Sequence, residues 1–193
     1  MVAAGCGRGG DPAGSTTARP APSQPGASLG PALRRHPRIG RGPRYHPGPG
    51  SGPAGGSCRA VLGARDAAHV ELFAERTVIL LAPGIGTGRP RRVEGAFLRG
   101  ARCYGALVTL DPSGVVLARP GGVRTIGDLF RAWGQPLGAR RMLSFRGRVR
   151  AYVGARRWAG DVRGVVLGRH AQITLEVGAQ VQPHRRYRFA AGR

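Results

Sequence analysis

The chain has 193 residues, a net charge of +22 and 31 basic residues against 9 acidic ones. Every one of the 31 is Arg, because the sequence contains neither Lys nor Asn; this excludes a Gly-Lys-Ser/Thr phosphate loop and points to coding in a GC-rich bacterial genome. No apolar run is long enough to span a bilayer, and the shortage of acids, which codon drift does not explain, leaves a polyanionic partner open.

Residues 1–65 are dominated by Gly, Pro, Ala, Ser and Arg, with nine Arg against the single acid Asp11. Runs such as 20–26 and 47–53 have no apolar period and cannot bury enough surface to offset their ordering entropy. They predict a disordered arm or linker, extended where Pro clusters. Its beginning, Val2-Ala3-Ala4-Gly5-Cys6, has the small residues and Cys that end a lipoprotein signal, which makes Cys6 a lipidation candidate. Only five residues precede Cys6, fewer than a signal needs, so this reading requires a start upstream of Met1. The alternative is an accidental match in an Ala/Gly-rich tail.

From Asp66 onward short apolar runs predict one β-rich domain over 66–193, with 22 Arg against eight acids. His69–Phe73 alternates and Thr77–Leu81 is continuously apolar, a hairpin pattern. Residues 83–90 read as a Gly-rich loop; Gly84-Ile85-Gly86-Thr87-Gly88 lacks the following helix that a phosphate loop requires. Residues 106–110 and 115–118 flank Asp111-Pro112-Ser113-Gly114, a second hairpin with Pro and Gly at their turn positions. Thr125 caps a helix over 125–133, with Ile126, Leu129, Phe130 and Trp133 on one face and Gly134 as the stop. Strands follow at Val149–Val153 and Ile173–Val177. Strand, strand, helix, strand, strand from residue 106 predicts an α+β, mainly β domain: a β-grasp-like sheet with an added N-terminal hairpin. A small β-sandwich is the alternative.

The segments Val70–Phe73 with Ala82–Gly86, Ile126–Leu137 with its Trp-Gly-Gln-Pro-Leu, Val149–Val153, Arg157–Asp161 and Ile173–Gly178 resemble an uncharacterised family of exported, chiefly actinobacterial, proteins across essentially 69–190. Many members carry His-rich stretches, one of the form Cys…His-x-His-Asp. Here only His69 and Cys103 stand at comparable places, and Leu107–Asp111 replaces the His pair. The resemblance implies an exported domain that has lost any metal site its relatives hold.

Candidate chemistry is sparse. None of the five His pairs with another His or a Cys at metal-ligand spacing, so metal binding rests on His69 and Cys103 alone. No Gly-x-Ser-x-Gly elbow is present, and Asp128, Asp161 and Glu176 read as cap, turn and strand surface. No cofactor and no enzymatic activity are expected. With Cys6 lipidated in an oxidising envelope, Cys58 and Cys103 are disulfide candidates. Arg146, Arg148, Arg150 and Tyr152 alternate with Gly147, Val149, Ala151 and Val153. A strand here would present three Arg and a Tyr on one face, suited to polyanion contacts or equally to an ordinary solvated face. The leading expectation is a monomeric, exported or envelope-tethered, non-catalytic domain that binds or scaffolds, with an acidic polymer or the membrane surface as partner. A cytoplasmic nucleic-acid-binding protein is the runner-up, and an exported metal-binding domain with a degenerate site is third.

Overall fold

The computed structural model describes residues 45–53 and 57–191, and the expectations for Cys6 and the arm up to residue 44 lie outside them. The strands are β1 (Asp66–Ala74), β2 (Thr77–Ile79), β3 (Arg91–Glu94), β4 (Phe97–Ala101), β5 (Leu107–Val108), β6 (Val115–Ala118), β7 (Leu137–Gly138), β8 (Arg141–Met142), β9 (Phe145–Arg146), β10 (Val149–Val153), β11 (Arg156–Arg157) and β12 (Gln172–Val177); the helix α1 is Ile126–Trp133. The protein is α+β and mainly β. Seven strands form one mixed sheet in the order β11-β10-β12-β1-β6-β5, with β2 also paired to β1; β3–β4 and β7–β8–β9 form two small ribbons. Among the described residues no helix is long and apolar enough to cross a membrane.

The grasp-like core is built on β1. Its central pair is β1 and β12, parallel from His69↔Gln172 to Ala74↔Val177. Antiparallel β6 and β10 flank them, and α1 lies between β6 and β10 in sequence. The N-terminal hairpin therefore lies inside the sheet rather than beside it: β6 takes the first half of one edge of β1 and β2 takes the second half. The hairpin 106–118 forms as β5–β6 with Leu107 opposite Ala118. Gly114, at φ 88°, lies so close to Val70 that a Cβ would come 2.6 Å from its carbonyl oxygen, which only Gly tolerates. No second layer of strands closes over the sheet among the described residues; α1 covers one face, so the sandwich alternative is not the architecture.

Helix α1 follows its sequence signals. Thr125 Oγ1 accepts from Asp128 N and the Asp128 carboxylate accepts from Thr125 N, a reciprocal cap. Gly134 takes the left-handed conformation that ends the helix. Ile126, Leu129, Phe130 and Trp133 pack onto Val70, Leu72, Val116, Ala151, Ile173 and Leu175 in the main core. Each such side chain contributes about 1.5–3 kcal/mol by leaving water.

Residues 45–53, given by composition to the arm, belong to this fold. Trp133 Nε1 donates to Gly48 O (2.9 Å) and Arg91 Nη1 donates to Gly50 O (2.9 Å). Gly50, at φ 77°, lies where a Cβ would come 2.6 Å from the Trp133 carbonyl. Composition measures apolar burial; this segment docks instead by close backbone approach, for which Pro and Gly suffice.

Candidate functional site

The arginine stripe anticipated over 146–152 is divided by the fold. Gly147, at φ 141°, interrupts the chain between β9 and β10, so the alternation is not one continuous strand face. Arg146 and Arg148 are exposed. Arg150 and Tyr152 turn onto the sheet face away from α1, where Arg150 Nε donates to Glu176 Oε1 (2.6 Å) and Tyr152 Oη donates to the same oxygen (3.0 Å). Val181 N donates to Glu176 Oε2 (2.7 Å), and Arg150 Nη2 to Gly178 O (2.5 Å). Glu176, expected on the strand surface, is therefore 0 % exposed. The carboxylate holds Arg150 firmly protonated, and burial, followed by Glu176, pushes the Tyr152 phenol up.

The same face carries His69, Glu71, Gln172 and Thr174, crossed by the C-terminal segment 179–190. His184 Nδ1 lies 2.7 Å from Glu71 Oε1, Thr174 Oγ1 donates to Glu71 Oε2 (3.1 Å), and Tyr187 stacks on His69 with ring centroids 3.7 Å apart. Burial is the largest influence on His69 and lowers its pKa, favouring the neutral ring. Its Nε2 lies 2.8 Å from Ser113 O and its Nδ1 2.8 Å from Gln172 Oε1, and the neutral ring carries one proton between these two nitrogens. Cys103, the other residue considered for metal binding, is joined to Cys58 (S–S 2.02 Å). Among the described residues no three His, Cys, Asp or Glu stand together as metal ligands.

An open groove lies on the outer edge of β10. It has a volume of about 620 Å³ over Val149–Ala151 and is lined by Arg140, Arg148, Arg157, Trp158, Asp161 and Arg163 among others. Two backbone bonds frame it: Val149 N donates to Ala139 O and Trp158 N donates to Ala151 O, both 2.8 Å. The β10–β11 hairpin that delivers Arg157 and Trp158 turns through Gly154 and Ala155, both at positive φ, as a two-residue hairpin requires. Trp158 is 38 % exposed, an unusual position for the largest apolar side chain. Its Nε1 donates to Asp161 O (3.0 Å), and a Cβ on Gly160 would lie 3.0 Å from that nitrogen. The indole is thus fixed with part of its surface in water. Asp161, the single acid of the lining, is committed to Arg163 through a 2.6 Å ion pair and caps the 3₁₀ turn Val162–Gly164. Arg140, Arg148 and Arg157 remain as exposed cations around the ring.

Sequence reasoning marked Arg148 as part of the stripe but did not single out Trp158. The usable signal was Trp158 itself: a large aromatic directly after Arg156-Arg157, before Gly160-Asp161, with no apolar period to draw it into the core. No family model, curated protein or solved structure matches the chain.

Proposed function

We propose that this protein is an exported, non-catalytic domain that holds an acidic polymer in the Trp158 groove. The observation that carries the reading is the combination of a fixed, part-exposed indole with Arg140, Arg148 and Arg157 around it and no uncommitted acid in the lining. Guanidinium forks match phosphate, sulfate and carboxylate groups. The indole face takes a flat ring of the same chain, sugar or base, and adds contact area without charge. Export is supported by the Cys58–Cys103 disulfide, a bond favoured in oxidising compartments, and by the resemblance over 69–190. The absence of catalysis is supported by the commitments of the reactive groups: both described cysteines are in the disulfide, and His69 is buried beneath Tyr187.

Three linear polyanions test it: dextran sulfate, polyglutamate and single-stranded DNA, at equal charge concentration. Trp158→Ala is expected to weaken dextran sulfate binding about tenfold, the scale of one lost stacking contact, and to leave polyglutamate, which has no ring, within about twofold. Equal losses for both would remove the indole from recognition. Wild-type binding to DNA well above dextran sulfate at physiological salt would favour the nucleic-acid reading instead.

A further inference from the structure

Four arginines converge away from the groove, around the backbone of Tyr104–Ala106. Arg65 Nη1 donates to Gly105 O (2.8 Å) and Ala106 O (3.2 Å), while Arg119 Nη2 donates to Tyr104 O (2.9 Å) and Gly105 O (3.3 Å). Two guanidinium groups therefore share one carbonyl oxygen. Arg59 pairs with Tyr104 through both backbone bonds, N to Tyr104 O (3.0 Å) and Tyr104 N to Arg59 O (2.7 Å). Beside Gly105 and Ala106 lies a cleft of about 80 Å³ whose charged lining is Arg124, Asp128 and Arg131; Arg59, Arg65 and Arg119 stand outside it. The Cys58–Cys103 disulfide, immediately before Arg59 and Tyr104 in their segments, pins this crossing.

Such a cluster raises a charge question. Among the described residues none of the four takes part in an ion pair. The nearby acids are engaged elsewhere: Asp66 faces Arg169 at 4.0 Å, and Asp128 serves the α1 cap and Arg131. Backbone carbonyls supply dipoles but no net negative charge. Two N–H groups of the cluster, on Arg65 Nη2 and Arg124 Nε, are buried without an acceptor, and a buried unmatched donor costs about 1–3 kcal/mol. Burial comes first, then mutual repulsion, in holding Arg65 and Arg119 below the ordinary arginine range. The uncompensated charge would be relieved by one bound anion.

We propose that the Arg59–Arg65–Arg119–Arg124 cluster binds a phosphate-class dianion. A dianion carries about two charges and several acceptor oxygens pointing in different directions, so it serves donors that approach from several segments, which a planar carboxylate does not. The site is independent of the Trp158 groove and shares no residue with it.

The test is calorimetric titration of the full chain with inorganic phosphate, against Arg59→Gln/Arg124→Gln. Arg65 and Arg119 are left intact because they clamp the loop. Saturable binding to the wild type, weakened at least tenfold in the double variant, is expected. Without phosphate the double variant should melt no lower than the wild type, because two repelling charges have gone; a purely structural cluster would melt lower. Wild-type binding that does not saturate, or equal affinity in the double variant, overturns the site. Trp158→Ala/Arg148→Gln should keep full phosphate affinity, and a parallel loss there would place the anion in the groove and overturn the proposal. Vesicles containing phosphatidic acid separate the sources: capture that free phosphate competes away assigns a lipid headgroup, and phosphate binding without capture assigns the free anion.

Discussion

Arg148 and Arg150 stand two residues apart and both line the groove, yet their guanidinium groups are engaged differently. Arg150 sits on the face closed by the C-terminal segment, where Glu176, Tyr152 and the Gly178 carbonyl surround it. Arg148 faces the open groove beside Trp158. One charge is internal to the fold and the other is available to a partner, although in sequence they are indistinguishable. A basic composition is thus sorted into structure and function by where the few acids stand. With eight acids for 22 Arg beyond residue 65, each placement of an acid decides which cations are neutralised.

The largest expected effect is on the closed face. Glu176→Ala leaves Arg150 without its counter-charge and strands Tyr152 Oη and Val181 N. A loss of about 3 kcal/mol in urea unfolding is expected, at the low end for a broken buried pair because the Arg150 side chain keeps 21 % of its surface in water. A loss under about 1 kcal/mol would mean the closed face is not held by this carboxylate. A smaller effect concerns pH. The lowered pKa of His69 means that the unfolded chain takes up its proton first. The contribution is therefore fully present above the ordinary histidine value of about 6.5 and is lost as pH falls from there through the lowered folded value. Wild type should lose more stability than His69→Gln between pH 7 and 5; Glu71 and His184 are common to both. Parallel curves would show that His69 titrates alike in both states. Smallest of all, Gly160→Ala should push the indole from its place, weakening dextran sulfate binding a few-fold with stability changed by under about 1 kcal/mol. Unchanged binding would show that the ring's exact placement is unimportant.

Local signals were the legible part. Thr125, Asp128 and Gly134 marked α1 to within one residue, and Asp111–Gly114 marked the β5–β6 turn, because caps and turns are decided by neighbours in sequence. The role of β1 as the central strand was not legible. Its alternation describes an edge hairpin equally well, and parallel pairing with β12, some hundred residues away, leaves no local mark. The ribbon β3–β4 was missed because Arg91-Arg92-Val93-Glu94 buries almost nothing and has no apolar period. For the site, the alternation over 146–152 suggested a single face; Gly147 and the buried Glu176 divide it. Burial of Glu176 depends on the C-terminal segment returning over the sheet, which no pattern within β12 reveals.

The proposed function requires that Arg140, Arg148 and Arg157 form a binding surface and not merely part of a positive net charge. The measurement is the salt dependence of single-stranded DNA or dextran sulfate binding for Arg140→Gln/Arg148→Gln/Arg157→Gln, against Arg89→Gln/Arg92→Gln/Arg102→Gln. The control takes the same charge from exposed positions elsewhere and spares Arg91, which clamps Thr87 and Gly50. The groove variant should bind at least tenfold more weakly, with a log–log salt slope shallower by about two, since each lost contact releases about 0.7 fewer counterions from a single strand. The control should change affinity by under about threefold. Equal losses in affinity and slope from the two variants would contradict the account, because attraction would then follow total charge and not the groove.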